Sequence, residues 1–396
     1  MRLLNLRDKV VIYHAGCLDG MGAAATFQHW LLKRLEIQSG CDKTFVHHVT
    51  HAQLDERTAA HVIQYGVKHS ERASLSQSQF TLDVAYVPAV YGKDYSDLNQ
   101  MGANEIEDSL HVAYHEKDVY IVDFSLPIEQ LVKIAAVANS VTVLDHHHTA
   151  FEMYKDWSPE EMPYNVNIEL EYARSGATQT WWYLMGNEDY PMPIRHVEDR
   201  DLWKWQVDGT KEFTLAIYNG DDSFMKSVVG WQRLLSFQPA TCEANYNALI
   251  DKGRIFKEYQ DVSIKKHMKY VRFVKLAGGM YNVPVVNVTR DITSEILEQI
   301  IIEHKAPFAI AFIDGPDERW WSLRSKFLPD GNPDFPNAVD VSEIGKIMGG
   351  GGHQAASGFS TPHYVAPEEL DRWANTVLMQ QQQKAEEHSQ CQCGDH

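Results

Sequence analysis

Long apolar runs, cysteine and positive charge are all scarce in this sequence, and each scarcity excludes a class of protein. No run in the 396 residues approaches the roughly 18 consecutive apolar residues of a membrane span, so no membrane partner is expected. The 5 cysteines are odd in number and spread along the chain, which argues against a disulfide-stabilised secreted fold. The opening segment, Met1–Asp8, holds too short an apolar stretch for a secretory signal, so we expect a cytoplasmic location.

The shortage of positive charge limits the class of substrate. The chain has 36 Lys plus Arg against 54 Asp plus Glu, a formal net charge of −18. A protein that holds long DNA needs a basic track that neutralises many phosphates, so long DNA is not an expected partner. A small phosphorylated ligand remains compatible, because bound metal ions and a few local cations can supply the positive field around it.

Short β-branched runs that end in acids and histidines are the most informative feature that is present. Three such runs, over 9–13, 119–122 and 141–144, lead respectively into His14 and Asp19, into Asp123, and into Asp145-His146-His147-His148. Apolar residues between the second and third runs recur at helical spacing, which predicts strand–helix–strand with parallel strands. The carboxyl ends of such strands bind ligands, and imidazole with carboxylate suits Mn²⁺, Zn²⁺ or Fe²⁺.

The whole pattern predicts an α/β protein of two domains. Residues 1–225 are expected to form a mainly parallel sheet flanked by helices, with 36–82 as an elaboration of it. A helical linker is expected over 226–274, and a smaller C-terminal α/β domain over 275–375. The Gln-rich residues 376–396 are expected to be a disordered tail.

The ordered set of motifs resembles the DHH phosphoesterase superfamily. In chain order, the motifs are Asp19-Gly20, Asp123-Phe124-Ser125, Asp145-His146-His147 and the acids of Glu198-Asp199-Arg200-Asp201. Nearer the other end, Gly349–Phe359 resembles the glycine–histidine signature of the DHH-associated C-terminal domain, and Trp321–Ser325 fits the strand before it. The resemblance therefore extends over residues 10 to 360.

This resemblance implies a site for two metal ions, expected to be Mn²⁺, with Mg²⁺, Fe²⁺ or Zn²⁺ as alternatives. It assigns His14 to the first metal and Asp123 to a bridging position, and it gives the second metal the ligands Asp19, His146 and Asp199. Asp145 would orient its neighbours. His147 would face the phosphate as a hydrogen-bond donor or as the acid to the leaving oxygen.

The resemblance also implies residues that bind substrate. In the resembled family the C-terminal domain closes a cleft over the catalytic domain. The residues it would contribute are Arg324, His353 and the glycines Gly350, Gly351 and Gly352, which would hold the far end of the ligand. Ser175 is predicted first as a helix N-cap, with a phosphate-facing role as the alternative. A homodimer is compatible with the resemblance.

Two positions leave the ligand set open. Cys17 stands where the family usually has the first carboxylate of an Asp-x-Asp-Gly motif. It could ligate as a thiolate, leave a weaker metal site with extra water, or be a small packed residue; weakened two-metal binding is favoured. Asp199 is preferred over Asp201 as the later ligand, on the spacing to Trp203.

Three functions compete at this stage. The first is hydrolysis of linear dinucleotides or very short oligoribonucleotides to mononucleotides. The second is a phosphatase of 3′-phosphorylated nucleotides or an exopolyphosphatase; the motif at Gly349–Phe359 disfavours the pyrophosphatase branch, which carries a different C-terminal domain. The third is a non-enzymatic nucleotide sensor, which only Cys17 encourages.

Overall fold

A computed structural model describes residues 7–39, 44–52, 60–68, 80–96, 114–220, 228–235, 239–327, 333 and 337–379. The chain divides into two compact units, Met1–Lys257 and Glu258–His396. Each unit contains its own β-sheet with helices packed on it, so the α/β class predicted from the sequence is confirmed. Within the described residues, no helix combines the length and the apolar character needed to cross a membrane.

The first unit is built on a seven-stranded sheet. Its strands are β1 (Lys9–His14), β2 (Thr44–Ala52), β3 (Ala60–Lys68), β4 (Phe80–Ala89), β5 (Asp118–Val122), β6 (Ser140–Asp145) and β7 (Val166–Leu170), in the spatial order β2-β3-β4-β1-β5-β6-β7. The five strands from β4 to β7 in this order are parallel, whereas β2 and β3 extend the sheet in antiparallel fashion. Residues that follow β1, β5 and β6 therefore meet at one edge of the sheet.

Helices cover both faces of this sheet. They are α1 (Leu18–Ser39), α2 (Ile128–Ala135), α3 (His148–Tyr154), α4 (Gly176–Met185), α5 (Met192–Asp201), α6 (Thr210–Tyr218), α7 (Gln232–Leu235) and α8 (Pro239–His267). Alternate residues of β1 enter opposite cores. Val11 and Tyr13 pack in a core with α1 and α4, and Val10 and Ile12 pack in a core with α2. Burial on both faces explains why the parallel strands have near-continuous apolar runs.

The predicted elaboration over 36–82 is partly continuous with the sheet. It contains β2, β3 and the first residues of β4, and β4 pairs in parallel with β1 at the centre of the sheet. Strand β4 was not predicted from the sequence, although Val84–Val87 is an apolar run that is buried in the sheet. Its signal was weak because no acid or histidine follows the strand.

The second unit has a six-stranded sheet and begins inside α8. Its strands are β8 (Arg272–Leu276), β9 (Tyr281–Asn287), β10 (Ala309–Asp314), β11 (Arg319–Arg324), β12 (Gly351–His353) and β13 (Ala356–Thr361), in the spatial order β12-β13-β11-β10-β9-β8. Helices α9 (Thr293–His304) and α10 (Val341–Ile347) pack with it.

The end of the chain differs from the prediction. Residues 370–379 are helical, and Val377 is buried with 7% of its surface exposed. Residues 376–379 of the predicted tail are therefore part of a helix, and the side chain of Val377 packs near Gly349 of the second unit. The rest of the predicted tail, 380–396, lies outside the described residues.

Candidate active site

The carboxyl edge of the parallel strands brings together four of the predicted metal ligands. His146 Nε2 lies 3.4 Å from Asp19 Oδ2, 3.2 Å from Asp123 Oδ1 and 3.4 Å from Asp201 Oδ2. His14 Nδ1 lies 3.6 Å from Asp123 Oδ2. Three groups, in each of which the potential ligand atoms lie within 4.8 Å of one another, could hold a metal ion: His14–Cys17–Asp123, Asp123–His146–His147 and Asp19–His146–Asp201. Asp123 belongs to two of these groups, which is what a bridging ligand requires.

The charges at this edge favour a bound cation. Burial raises the pKa of Asp19 and of Asp201, and the neighbouring carboxylate of Asp123 raises both further. Burial alone would lower the pKa of His146, but these three carboxylates raise it well above its ordinary range. Burial and mutual repulsion thus disfavour the charged forms of the acids that surround this imidazole. A divalent cation would relieve this excess of negative charge and would take imidazole and carboxylate as ligands.

Two buried polar atoms also point to a missing ligand. His14 Nδ1 and Asp123 Oδ2 are buried, and neither has a hydrogen-bond partner among the residues that the structure describes. A buried polar atom left without a partner costs about 1–3 kcal/mol. Their separation of 3.6 Å is too long for a hydrogen bond between them. A metal ion bound by both atoms would satisfy both, so these residues fit the predicted first metal.

Close backbone packing holds the ligands in place. Asp123 has a φ of +54°, a left-handed conformation that Asp and Asn adopt more readily than most residues. A Cβ at Gly176 would lie 2.4 Å from the Cβ of Asp123, and a Cβ at Gly20 would lie 2.3 Å from the carbonyl oxygen of His14. Gly20 therefore allows α1 to lie close to His14, and Gly176 allows α4 to lie close to Asp123.

Asp19 ties the first helix to the start of α4. Its Oδ1 accepts hydrogen bonds from Ser175 Oγ at 2.7 Å and from Ala177 N at 2.9 Å, and its Oδ2 accepts one from Gly176 N at 2.5 Å. Ser175 does stand at the N-cap position, but its hydroxyl donates to Asp19 and the carboxylate takes over the capping of the helix. The phosphate-facing role of Ser175 remains a prediction, and its side chain is fully buried.

Asp145 is fully occupied in orienting its neighbours. Its Oδ1 lies 2.7 Å from His147 Nδ1 and accepts from the backbone N–H of His146 at 2.8 Å, and its Oδ2 accepts from Ser125 Oγ at 2.5 Å. Burial opposes protonation of His147, but Asp145 outweighs it and raises the pKa of the imidazole. With Nδ1 held by Asp145, the other ring nitrogen, Nε2, is the one available to act on a ligand.

The two acids of α5, of which Asp199 is the predicted ligand, lie in different surroundings. Asp199 Oδ1 accepts from Gln206 N at 2.7 Å, and its Oδ2 accepts from Val207 N at 3.2 Å and Thr210 Oγ1 at 2.6 Å. Asp199 therefore stabilises the turn after α5, and Asp201 lies beside His146. Residues two apart on a helix lie roughly 200° apart around its axis, so both cannot face the cluster.

Cys17 lies within the first group of potential ligands. Burial raises the pKa of its thiol well above the ordinary value, and the carboxylates of Asp123, Asp201 and Asp19 raise it further. The metal-free protein therefore holds Cys17 as a neutral thiol next to His14 and Asp123. The position of Cys17 allows it to act as a metal ligand, but a metal ion would first have to displace the proton of its thiol.

The glycine-rich motif of the second unit forms a hairpin, β12–β13. A Cβ at Gly350 would lie 2.1 Å from Gly358 O, and a Cβ at Gly352 would lie 2.5 Å from Ala356 O, so both glycines allow close packing against β13. At Gly351, by contrast, no described atom lies within 4 Å of such a Cβ. The side chain of His353 lies outside the described part of the structure, so its predicted role stays a prediction.

Arg324 lines a cavity of about 440 Å³ in the second unit. Its Nη2 donates to Ser294 Oγ at 3.3 Å, at the amino end of α9. Arg290 also borders the cavity, with its guanidinium 4.4 Å above the ring of Trp320. Sequence reasoning missed Arg290 and Trp320, because only folding brings the residues before α9 next to β11. Two guanidinium groups and a helix amino end make this cavity suitable for an anionic ligand.

Comparisons with known proteins give distant similarities. No profile of a known protein family matches the chain. The uncharacterized protein R106 of Acanthamoeba polyphaga mimivirus is 24% identical over 356 residues, which are 89% of this chain and 67% of that protein. The pGpG-specific phosphodiesterase PggH from Vibrio cholerae is 14% identical with a TM-score of 0.40, over 94% of this chain and 98% of that one. RecJ from Thermus thermophilus in complex with Mn²⁺ is 11% identical with a TM-score of 0.45, over 94% of this chain and 52% of the RecJ chain. By themselves, similarities of this size assign neither a family nor a substrate.

Proposed function

We propose that this protein is a metal-dependent phosphodiesterase of the DHH superfamily. The observation that carries the proposal is the group of acids around His146, three buried or partly buried carboxylates within 3.4 Å of one imidazole nitrogen. The order of the motifs that contribute them supports the superfamily. A cluster with this charge is costly without a cation and has the ligand types of Mn²⁺.

The proposed ligand set follows from the distances. His14 and Asp123 would hold one ion, with Cys17 adjacent, and Asp19, Asp123, His146 and Asp201 would hold a second. When bound, such a pair of ions activates water at neutral pH and neutralises charge on the phosphate. His147, oriented by Asp145, would donate a proton to the leaving oxygen through Nε2.

We further propose that the substrates are linear dinucleotides or very short oligoribonucleotides, which are cut to mononucleotides. The net charge of −18 argues against a long nucleic acid, whose many phosphates need a basic track. Within the second unit, the cavity with Arg290 and Arg324 is suited to a phosphorylated group, which a nucleotide carries. A cavity of about 440 Å³ is in the range of small-molecule sites and has room for about one nucleotide.

The test is hydrolysis of a 5′-phosphorylated RNA length series by protein stripped of metal and then supplied with Mn²⁺. We expect mononucleotide from the shortest oligomers, fading as length increases, and no product without the ion. Release of phosphate from a 3′-phosphorylated nucleotide or from polyphosphate, without cleavage of any RNA, would replace this proposal by the phosphatase. Binding of nucleotides with no turnover of any substrate would replace it by the sensor.

A further inference from the structure

Tyr91 is an exposed aromatic residue at the mouth of the candidate active site. It follows β4, whose neighbour β1 carries His14, so its loop lies at the same sheet edge as the potential metal ligands. The Tyr91 ring centroid is 5.4 Å from that of His14, in an edge-on arrangement, and 4.5 Å from that of Phe124. The side chain nevertheless remains 47% exposed, whereas Phe124 is buried.

The loop that carries Tyr91 is held firmly on both sides. Tyr95 is fully buried, and its hydroxyl accepts a hydrogen bond from Val90 N at 2.7 Å. The backbone N–H of Tyr95 donates to Gln130 Oε1 at 2.9 Å, which ties the loop to α2. Ala15 N donates to Ala89 O at 2.8 Å, which fastens the loop after β1 to the end of β4. These hydrogen bonds tie the backbone on both sides of Tyr91 to β1 and α2.

A half-exposed aromatic ring beside the proposed phosphate-cleaving centre is suited to stacking on a nucleobase of the substrate. Nucleobases released from a duplex stack on aromatic side chains, and this contact tolerates every base because each has a π-face. Phe124 is too buried to make it, and His14 is a potential metal ligand. The contact of Tyr91 with His14 places a stacked base within one nucleotide of a phosphate at the metal site.

We infer that Tyr91 forms a base-stacking subsite beside the candidate metal centre, which takes a nucleobase adjoining the scissile phosphate. The inference rests on the proposed function, since it assigns a ligand group to the same site. It also predicts a preference of the enzyme for phosphodiesters that carry a base on this side, independent of which base it is.

The experiment measures dissociation constants by calorimetry in the presence of Mn²⁺. The probe is pApA with a methylene group in place of the leaving oxygen, which resists hydrolysis, and two abasic forms of it that each lack one base. Tyr91→Ala should raise the dissociation constant of the full analogue roughly 5- to 150-fold, the range of one base–aromatic stack. The same variant should bind the full analogue and one abasic form equally.

Three controls separate stacking from other roles. Tyr91→Phe should bind like the original protein, and Tyr91→Leu, which keeps apolar packing on Phe124, should lose affinity like the alanine variant. Tyr164→Ala removes a fully exposed tyrosine of the same unit and should change nothing. Equal binding by Tyr91→Ala, or an equal loss in Tyr91→Phe, would overturn the stacking subsite while leaving the phosphodiesterase proposal intact. If the original protein binds none of the analogues, the dinucleotide proposal itself fails, and the subsite with it.

Discussion

At the scale of single residues, the site depends on a few carboxylates whose neighbours decide what each one does. Asp19, Asp123, Asp145 and Asp199 are all buried, yet they have different partners. Asp145 and Asp199 have their oxygens occupied by donors from the chain. Asp123 has an oxygen without a partner among the described residues, so it is the acid most clearly reserved for a cation.

Asp123→Asn is the sharpest test of this reserved position. Asn adopts the left-handed backbone of Asp123 without added strain, so the variant should fold. It removes a charge that two metal ions would share. We expect kcat to fall about a thousandfold or more, because metal charge stabilisation is worth several kcal/mol. The measurements are turnover of the shortest RNA substrate and urea unfolding; folded protein with full activity would exclude Asp123 from the chemistry.

Asp199→Asn and Asp201→Asn form a matched pair on one helix. Asp201→Asn removes a like charge from the cluster, so the metal-free protein should keep its free energy of unfolding while Mn²⁺ affinity falls at least about tenfold. Asp199→Asn should lower the free energy of unfolding by about 1–3 kcal/mol, because a buried acceptor of three hydrogen bonds is impaired. Calorimetric metal titration and urea unfolding measure the two effects. The reverse outcome would restore Asp199 as the ligand.

At the scale of secondary structure, sequence pattern located the strands better than it located side chains. The apolar runs of β1, β5 and β6 and the acids and histidines after them were predicted, because parallel strands are recognisable by composition and must share an edge. The face of α5 that meets the cluster was not predicted. It depends on how the helix is rotated by tertiary packing, and the spacing to Trp203, which favoured Asp199, carries no information about that rotation. The cavity around Arg290 and Arg324 joins β11 to the residues before α9, which sequence spacing does not reveal.

The glycine-rich motif was predicted from the sequence to bind substrate, and in the structure two of its glycines also allow close packing of the hairpin. Gly350 and Gly352 let β12 approach β13, whereas a Cβ at Gly351 would meet no described atom. Gly350→Ala should therefore lower the free energy of unfolding by about 1–3 kcal/mol, the usual cost of overpacking. Gly351→Ala, one residue away, serves as the control and should change stability little. Urea unfolding of both variants decides, and equal stability would show that the hairpin can open to admit the methyl group.

At the scale of the whole molecule, acidic charge in the first unit links stability to pH. In the metal-free protein the neighbouring carboxylates raise the pKa of His146 and His147 above their ordinary value of 6.5. Above that pH the folded state binds more protons than the unfolded chain. The stabilisation is fully present below pH 6.5 and is lost as the pH rises through the folded-state values.

We therefore expect the free energy of unfolding of metal-free protein to fall as the pH rises from 6.5 towards 9. Urea titrations in the presence of a chelator measure it. The decline should be smaller in His147→Asn, which removes one of the two groups. It should also be smaller with saturating Mn²⁺, because a bound ion requires neutral imidazole and favours higher pH. A stability that is level over this pH range would contradict the raised pKa values.

The left-handed backbone at Asp123 also limits which residues can replace it during evolution. Glycine, asparagine and aspartate accept such a conformation most easily, and the nearby Gly176 leaves no room for a bulky replacement. A library randomised at this codon and sorted only for folded protein should therefore return mainly glycine, asparagine and aspartate. The same library sorted for turnover should return aspartate alone. A descendant that gave up catalysis but kept the fold would carry Asn or Gly here, as a mark of its history.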